Sequence, residues 1–391
     1  MPSAILALNA GSSSLKFGLF EADASGEPRS IARGTVGLGD MRSLTARAPD
    51  GAALLEKELP GSGLEDLIGE LLFWIDGQLG GGKLLAAGHR IVHGGSRFSD
   101  PVLLTPQVID DVEDLTPLAP LHQPRSIAPI RALSALRPHL PQVGCFDTAF
   151  HGTIEATVRR YALPRRYEAS GIQRYGFHGL SYEYIASRLR QVSPELAAGR
   201  VIVAHLGNGA SLCALRDGKS VDTTMGFSTL DGLVMGTRCG AIDPGVLLYL
   251  LQEEGLSPAD LQHLLYRESG LLGVSGISGD VRVLSRSDDP RAREALDLFA
   301  FRAARETAAL ANTLGGLDGL VFTAGIGENS ASIRAAICSR LEWLGVKFEP
   351  EANEAHAERI GREGSAVDIR VIPTDEEIVV ARHAVSVLGT V

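Results

Sequence analysis

Leu8-Asn9-Ala10-Gly11-Ser12-Ser13-Ser14-Leu15-Lys16-Phe17 decides how the rest of the chain is read. The apolar run Ala4 to Leu8 leads into it. Leu15, Phe17 and Leu19 then fall on one face, with Lys16 and Gly18 on the other, the period of two that marks a strand. Five small residues, Ala10 to Ser14, lie between the two segments. A turn of such residues offers backbone N–H groups and hydroxyls to a bulky anion. Lys16 adds a positive charge just beyond it. The pattern is that of a phosphate-binding hairpin, although an ordinary Ser-rich turn has the same composition. It is not a Walker loop, because the Gly-x-x-x-x-Gly-Lys spacing and the following helix are both missing.

Half a chain later the grammar recurs. Arg200 to Leu206 is an apolar strand, Gly207-Asn208-Gly209 a small-residue turn, and Ala210 to Ala214 a second strand. Asp217-Gly218 then makes a hairpin turn into Lys219 to Thr224. Gly26 turns the early chain in the same way toward Ser30 to Thr35. Two hairpin meanders in equivalent places indicate a duplicated domain, with one phosphate loop from each half.

Composition sets bounds on both. The 391 residues are enough for two domains and a large core. The net charge of −10 argues against nucleic acid, so a polyanion must be held by local Arg and Lys clusters. The four cysteines (Cys145, Cys213, Cys239, Cys338) form no Cys-x-x-Cys pair, which points to a reducing compartment and away from zinc or disulfides. No apolar run approaches a membrane span and the N-terminus has no basic n-region. The expectation is a cytoplasmic protein without membrane partners.

Taken in order, Leu64 to Leu79 has helical apolar spacing and reads as a core helix. Ala87 to Gly95 reads as a buried strand carrying His89, Arg90 and His93. A charge inside such a strand needs a partner, so Arg90 is a better site candidate than either histidine. Pro141 to Phe146 is a strand with Asp147 at its carboxyl end, where ligands sit in open α/β sheets; a helix N-cap is the competing role. His178 lies on a turn between Phe177 and Gly179, ahead of a helix from about Ser181. Arg238 sits in a long glycine-punctuated loop, Met225 to Gly245, of the kind usually kept for function. Ser275 to Arg282 is a further polar glycine loop. Leu317 to Thr323 is a strand followed by Ala324-Gly325-Ile326-Gly327-Glu328-Asn329, a glycine turn, and then by a helix carrying Ile333, Ile337, Leu341 and Leu344. That helix start suits phosphate or an adenosine edge. Ser330 stands where a dinucleotide fingerprint needs glycine, so NAD is not expected. Finally, Asp375, Glu376 and Glu377 open a terminal helix, either to complement its dipole or to hold a metal.

These motifs, spread in order over nearly the whole chain, resemble the acetate kinase (acetokinase) family. The resemblance implies an α/β fold: a duplicated βββαβαβα unit of the ribonuclease H-like, actin-like ATPase kind, with nucleotide in an interdomain cleft. It implies an N-terminal domain of residues 1–147 completed by a helix at 377–391, and a C-terminal domain of 148–376. The implied reaction is reversible in-line transfer of the ATP γ-phosphoryl group to acetate, with ATP/ADP as co-substrate and Mg²⁺ (or Mn²⁺) as cofactor. A homodimer is implied as well. By the same match, Arg90 and Arg238 would clamp acetate and the phosphoryl group, and His178 would stabilise its oxygens. Asn9 and Glu376 would hold the metal. Lys16, His205, Leu206, Gly207, Asn208, Gly209, Asp280, Val281, Arg282, Gly325, Ile326, Gly327, Glu328 and Asn329 would bind ATP.

Asp147 corresponds to the family's catalytic acid/base. A carboxyl group with an ordinary pKa of about 4.3 is already ionised at neutral pH, so the acceptor needs no deprotonation. Asp147 is therefore expected to orient Arg90, the metal or water. Val92, Leu121 and Phe177 match the methyl pocket, but Thr229 stands where the family has proline. That change and Asp375, where asparagine is common, are departures. The alternatives are a propionate or butyrate kinase on the same scaffold, or a nucleotide-gated interaction protein of the actin and heat-shock chaperone kind.

Overall fold

The computed structural model describes residues 3–11, 14–22, 27–39 and 42–389. Ser12 and Ser13 of the first hairpin turn, Gly26, and residues 390–391 of the terminal segment lie outside the described residues. The chain divides into two compact units. Unit 1 comprises Met1–Ala149 and Asp375–Val391, and unit 2 is Phe150–Thr374.

Unit 1 contains β1 (Ser3–Ala10), β2 (Ser14–Glu21), β3 (Arg29–Gly37), β4 (Ser43–Arg47), β5 (Ala53–Glu58), β6 (Lys83–Ile91), β7 (Val102–Leu103) and β8 (Gln142–Phe146). They form one sheet in the order β5-β4-β3-β2-β1-β6-β8-β7. The first five strands are antiparallel, whereas β1, β6 and β8 run parallel. The alternation read from the sequence holds along β2: Leu15, Phe17 and Leu19 are buried and Lys16 is exposed. The buried face packs on the helix Leu64–Leu79 through Leu67, Ile68, Leu71 and Ile75. That helix opens with Glu65 and Asp66 and closes on left-handed Gly80. The pair β4–β5 was not legible beforehand, because its outer strand is almost wholly exposed and carries no apolar alternation.

Unit 2 contains β9 (Arg200–Leu206), β10 (Ala210–Arg216), β11 (Lys219–Thr223), β12 (Gly319–Thr323) and β13 (Asp368–Val371), ordered β11-β10-β9-β12-β13. Again three strands are antiparallel and the next two parallel. This is the pattern of β3-β2-β1-β6-β8, so the duplication lies in the hydrogen-bonding plan. Its core joins Ile185 and Leu189 of the helix Gly179–Val192 to Val201, Val203, Cys213 and Val321. Residues Ala324–Asn329 form one short helix rather than a glycine turn. Ser330 then caps a second helix, Ala331–Ser339, through the Ile333 N–H. That helix ends before Leu341, which the apolar spacing had placed inside it.

Burial decides the state of three histidines. It holds His89, His93 and His151 down at about 4 each, from an ordinary 6.5. His151 is tied to Ser220 Oγ at 2.8 Å and to the Phe177 carbonyl at 2.9 Å. A lowered imidazole pKa means that the unfolded chain binds more protons between pH 4 and 6.5. The stabilisation is complete above pH 6.5 and is lost as pH falls toward 4. The slope reaches about 1.4 kcal/mol per pH unit for each histidine. Denaturant titrations at pH 7.5, 5.5 and 4.5 should show a steep decline over that window. A flat profile would mean that these rings are solvated.

Candidate functional site

In unit 1 the register builds the site. Asn9 on β1 pairs with Lys16 on β2 and with Arg90 on β6. Arg90 stands near the carboxyl end of its strand, and Asp147 follows the last residue of the neighbouring parallel β8. Asp147 is fully buried. Arg90 Nε donates to Asp147 Oδ1 and Oδ2 at 3.1 and 3.0 Å, and Nη2 donates to Oδ2 at 2.5 Å. Arg90 Nη1 donates to Asn9 Oδ1 at 3.1 Å. Glu376 Oε2 accepts from Asn9 Nδ2 at 2.9 Å and lies 3.9 Å from Arg90 Nε. Burial works to lower the Arg90 pKa, yet Asp147, Glu376 and Glu377 together raise it above the ordinary arginine value. The guanidinium is a fixed cation.

Arg90 and Lys16 are outnumbered near this point by Asp147, Glu376 and Glu377. The Glu377 carboxyl is pushed up first by burial and then by Glu376. Magnesium takes oxygen ligands, keeps several waters and shares substrate phosphates. The Asn9 amide oxygen and the Glu376 carboxylate form a donor set of that chemistry, beside a carboxylate excess that a cation would relieve. Among the described residues no group of three or more His, Cys, Asp and Glu side chains is gathered as a metal cage.

Unit 2 holds the second group. His178 caps the helix Gly179–Val192 with φ of 57°, a left-handed conformation that costs a non-glycine residue energy and is typical of functional positions. Its ring stacks on His205 at 4.1 Å between centroids. His178 Nδ1 meets Ser211 Oγ at 2.8 Å, and Ser211 in turn meets Tyr182 Oη at 2.5 Å. Ser181 Oγ joins His205 Nδ1 at 2.8 Å and Thr374 Oγ1 at 2.9 Å. Ser181, Tyr182 and Ser211 were not singled out as site residues. Their only signal is placement beside the two histidines in helix and strand register.

Arg238 donates from Nη1 to the Thr229 carbonyl at 2.8 Å. Burial lowers its pKa to about 10, so it stays charged at neutral pH. No Asp or Glu among the described residues forms an ion pair with it. A largely buried cation with no carboxylate partner invites an anion. Gly209 is what lets the groups approach: a Cβ there would come within 2.6 Å of Arg238 Nη2 and 3.4 Å of His178 Nε2.

Beside this cluster lies a cavity of about 1010 Å³. It brings together Gly207, Asn208, Asp280, Val281, Arg282, Gly325, Ile326 and Asn329 from three distant segments. His205, Leu206, Gly209, Gly327 and Glu328 are not among its walls. Glu328 instead accepts from the Ala324 and Thr374 N–H groups at 2.8 and 3.1 Å, which ties the start of the short helix to the segment at Thr374. Arg334, fully buried, donates to the Gly327 and Glu328 carbonyls at 2.9 and 2.8 Å and to Asn353. It braces the cavity's short helix. An arginine inside an amphipathic pattern reads as a surface residue, so this one was missed. Of the methyl-pocket candidates, Val92 and Leu121 belong to unit 1, and Phe177 and Thr229 to unit 2. Val92, Phe177 and Thr229 are buried.

Two sheets built on one hydrogen-bonding plan define a phosphotransferase of the actin-like class. The family model described as "Acetokinase family" matches residues 4–382. An acetate kinase of Rhodopseudomonas palustris is 50% identical over 391 residues, covering 98% of each chain. One from Rhizobium meliloti is 46% identical, covering 99% of this chain and 98% of the relative. Among solved structures, a Porphyromonas gingivalis acetate kinase superposes with a TM-score of 0.86 at 38% identity, covering 99% of this chain and 100% of that one. A Francisella tularensis propionate kinase does so at 0.90, also at 38% identity, covering 97% and 98%. The chain belongs to the acetokinase family and is a kinase.

Proposed function

We propose that the chain catalyses reversible transfer of the ATP γ-phosphoryl group to acetate, giving acetyl phosphate and ADP. The observation that carries this is the Arg238–His178 cluster. A guanidinium without a carboxylate partner and an imidazole held by Ser211 flank one glycine of a phosphate hairpin, next to a nucleotide-sized cavity. Phosphoryl transfer asks mainly for positioning and charge neutralisation. Arg238 and Arg90 bind the acceptor carboxylate and the phosphoryl oxygens, and His178 donates a hydrogen bond to those oxygens. Lys16 and the loops at 205–209, 280–282 and 325–329 hold ATP. Asn9 and Glu376 hold Mg²⁺, which when bound neutralises phosphate charge.

Asp147 acts through Arg90. Its bidentate grip sets the guanidinium's direction, and an ionised acceptor leaves a base nothing to remove. Asp147→Asn should lower kcat by about 10²- to 10³-fold, the scale of losing one preorganised electrostatic element. The shape of the pH–rate profile should survive. Loss of its acid limb would instead identify Asp147 as the titrating base.

The propionate alternative rests on Thr229 and on the structural likeness to the Francisella enzyme. One methylene is worth only about 1–3 kcal/mol in such a pocket. A hydroxamate assay with ATP and Mg²⁺ should show acetate preferred, propionate turned over measurably, and Thr229→Pro altering the ratio of kcat/KM. No hydroxamate from either acid would refute the reading.

A cytoplasmic homodimer is part of the proposal. No helix among the described residues is long and apolar enough to cross a membrane. The helix Pro244–Gln252 buries none of its residues, and Val246, Leu248 and Tyr249 are exposed. Such an apolar face marks an interaction site. Leu248→Glu should shift the mass measured by light scattering from dimer to monomer. A wild-type chain already monomeric at micromolar concentration would reject the dimer.

A further inference from the structure

We infer that the outer face of β2–β4 carries a second anion site, for a phosphorylated small molecule, outside the residues of the proposed transfer reaction apart from Lys16. The face follows from register. Lys16 pairs with Thr35, and Thr35 with Thr45. Arg33 pairs with Arg47 across the same two strands. Alternation puts all five side chains on one side of the sheet. The opposite side carries Phe17, Ala32, Val36, Leu44 and Ala46, all in the core.

These residues line a cavity of about 630 Å³, together with Ser30 and Glu377 among others. Arg33 and Arg47 face each other directly. Like charges in that position destabilise a strand pair, so their presence calls for a compensating anion. Arg33 is ion-paired with Asp375, and its guanidinium lies over the Phe20 ring at 5.7 Å. Arg47 reaches only a backbone carbonyl, that of Gly51, at 3.2 Å. No carboxylate forms an ion pair with Arg47 among the described residues. The Ser30 hydroxyl oxygen is buried and has no hydrogen-bond partner. With Lys16, Arg33 and Arg47 against Glu377, the lining is net positive in a chain of net charge −10.

The donor set selects the ligand class. Guanidinium forks match phosphate oxygens, and hydroxyls at Ser30 and Thr35 supply further donors from other directions, while that of Thr45 donates to the Thr35 carbonyl at 3.4 Å. A tetrahedral dianion uses such a spread better than a flat carboxylate. The cavity is larger than a bare phosphate, so an organic phosphate is the better fit. Arg33 also contacts the residue before Glu376, so an occupant that draws Arg33 away from Asp375 changes the charge beside Glu376 and Glu377. The site is placed to regulate.

Calorimetric titration of the full-length chain tests this, with inorganic phosphate and a sugar monophosphate as separate probes. At least one probe should bind the wild type, and Arg47→Glu should weaken that binding more than tenfold. Arg47→Lys should keep most of it. Arg47 is exposed and touches none of the proposed reacting groups, so kcat and the KM for ATP should stay within twofold in both variants. The stronger of the two probes names the source of the anion. No binding to the wild type, or equal binding to Arg47→Glu, overturns the site. A KM for ATP that rises in step with the lost phosphate affinity also overturns it, because the cavity would then be an arm of the nucleotide site.

Discussion

One buried ion pair sets the terms for unit 1. Arg90 and Asp147 stand at the carboxyl ends of adjacent parallel strands, with the carboxylate removed from water altogether. Neither charge is tolerable there alone, since stripping either partner leaves an unpaired ion in a low dielectric. Together they form a rigid fork whose third nitrogen reaches Asn9. The arginine is thereby aimed and kept charged at every working pH. A cation on a flexible surface stem would have to be ordered anew for each substrate, and that cost would come out of the rate.

The duplication is visible in what each unit presents at the same place in its sheet. In unit 1 the central antiparallel strand presents Asn9, flanked in register by Lys16 and Arg90. In unit 2 the equivalent strand presents His205, flanked by Ser211 and Thr323. One hydrogen-bonding plan thus yields a cationic row in one copy and an imidazole–hydroxyl row in the other. Asn9 is embedded among charges, whereas His205 is held by Ser181 and stacked on His178. The second copy gets its cation from Arg238, on a long loop outside the sheet. Gly209 leaves room for the tip of that arginine, which a Cβ there would push aside.

What the sequence disclosed follows from which signals are local. The helix Leu64–Leu79 was legible to the residue because its apolar stripe and its caps agree. The β9–β10–β11 meander was legible because its turns are short and its strands apolar. Arg90 could be singled out because a charge in an apolar strand has to be explained. The β4–β5 hairpin could not, since its outer strand faces water on nearly every residue. The left-handed backbone of His178 and the brace from Arg334 to the Gly327 carbonyl were equally hidden. The brace spans only seven residues, but it crosses from one short helix to the next, and no periodicity encodes either feature. The acids at 375–377 were legible as acids from composition, but Glu376 could be set beside Asn9, 367 residues away, only through the family resemblance, which has both hold the metal.

That last neighbourhood depends on how closely the terminal helix lies on the sheet. The helix Glu376–Leu388 packs on β1 and β6 through Val379, Val380 and Ala384. Gly88 on β6 makes this approach feasible: a Cβ there would meet Val380 Cγ1 at 2.5 Å and its carbonyl at 3.1 Å. With the helix seated, Asp375 caps its first turn through the Ile378 N–H and binds Arg33. Glu376, the next residue, is then delivered to Asn9 and Arg90. Chain order therefore carries a functional consequence. Unit 1 takes Glu376 and Glu377 from the far end of the chain, so the surroundings of Arg90 are incomplete without that final segment.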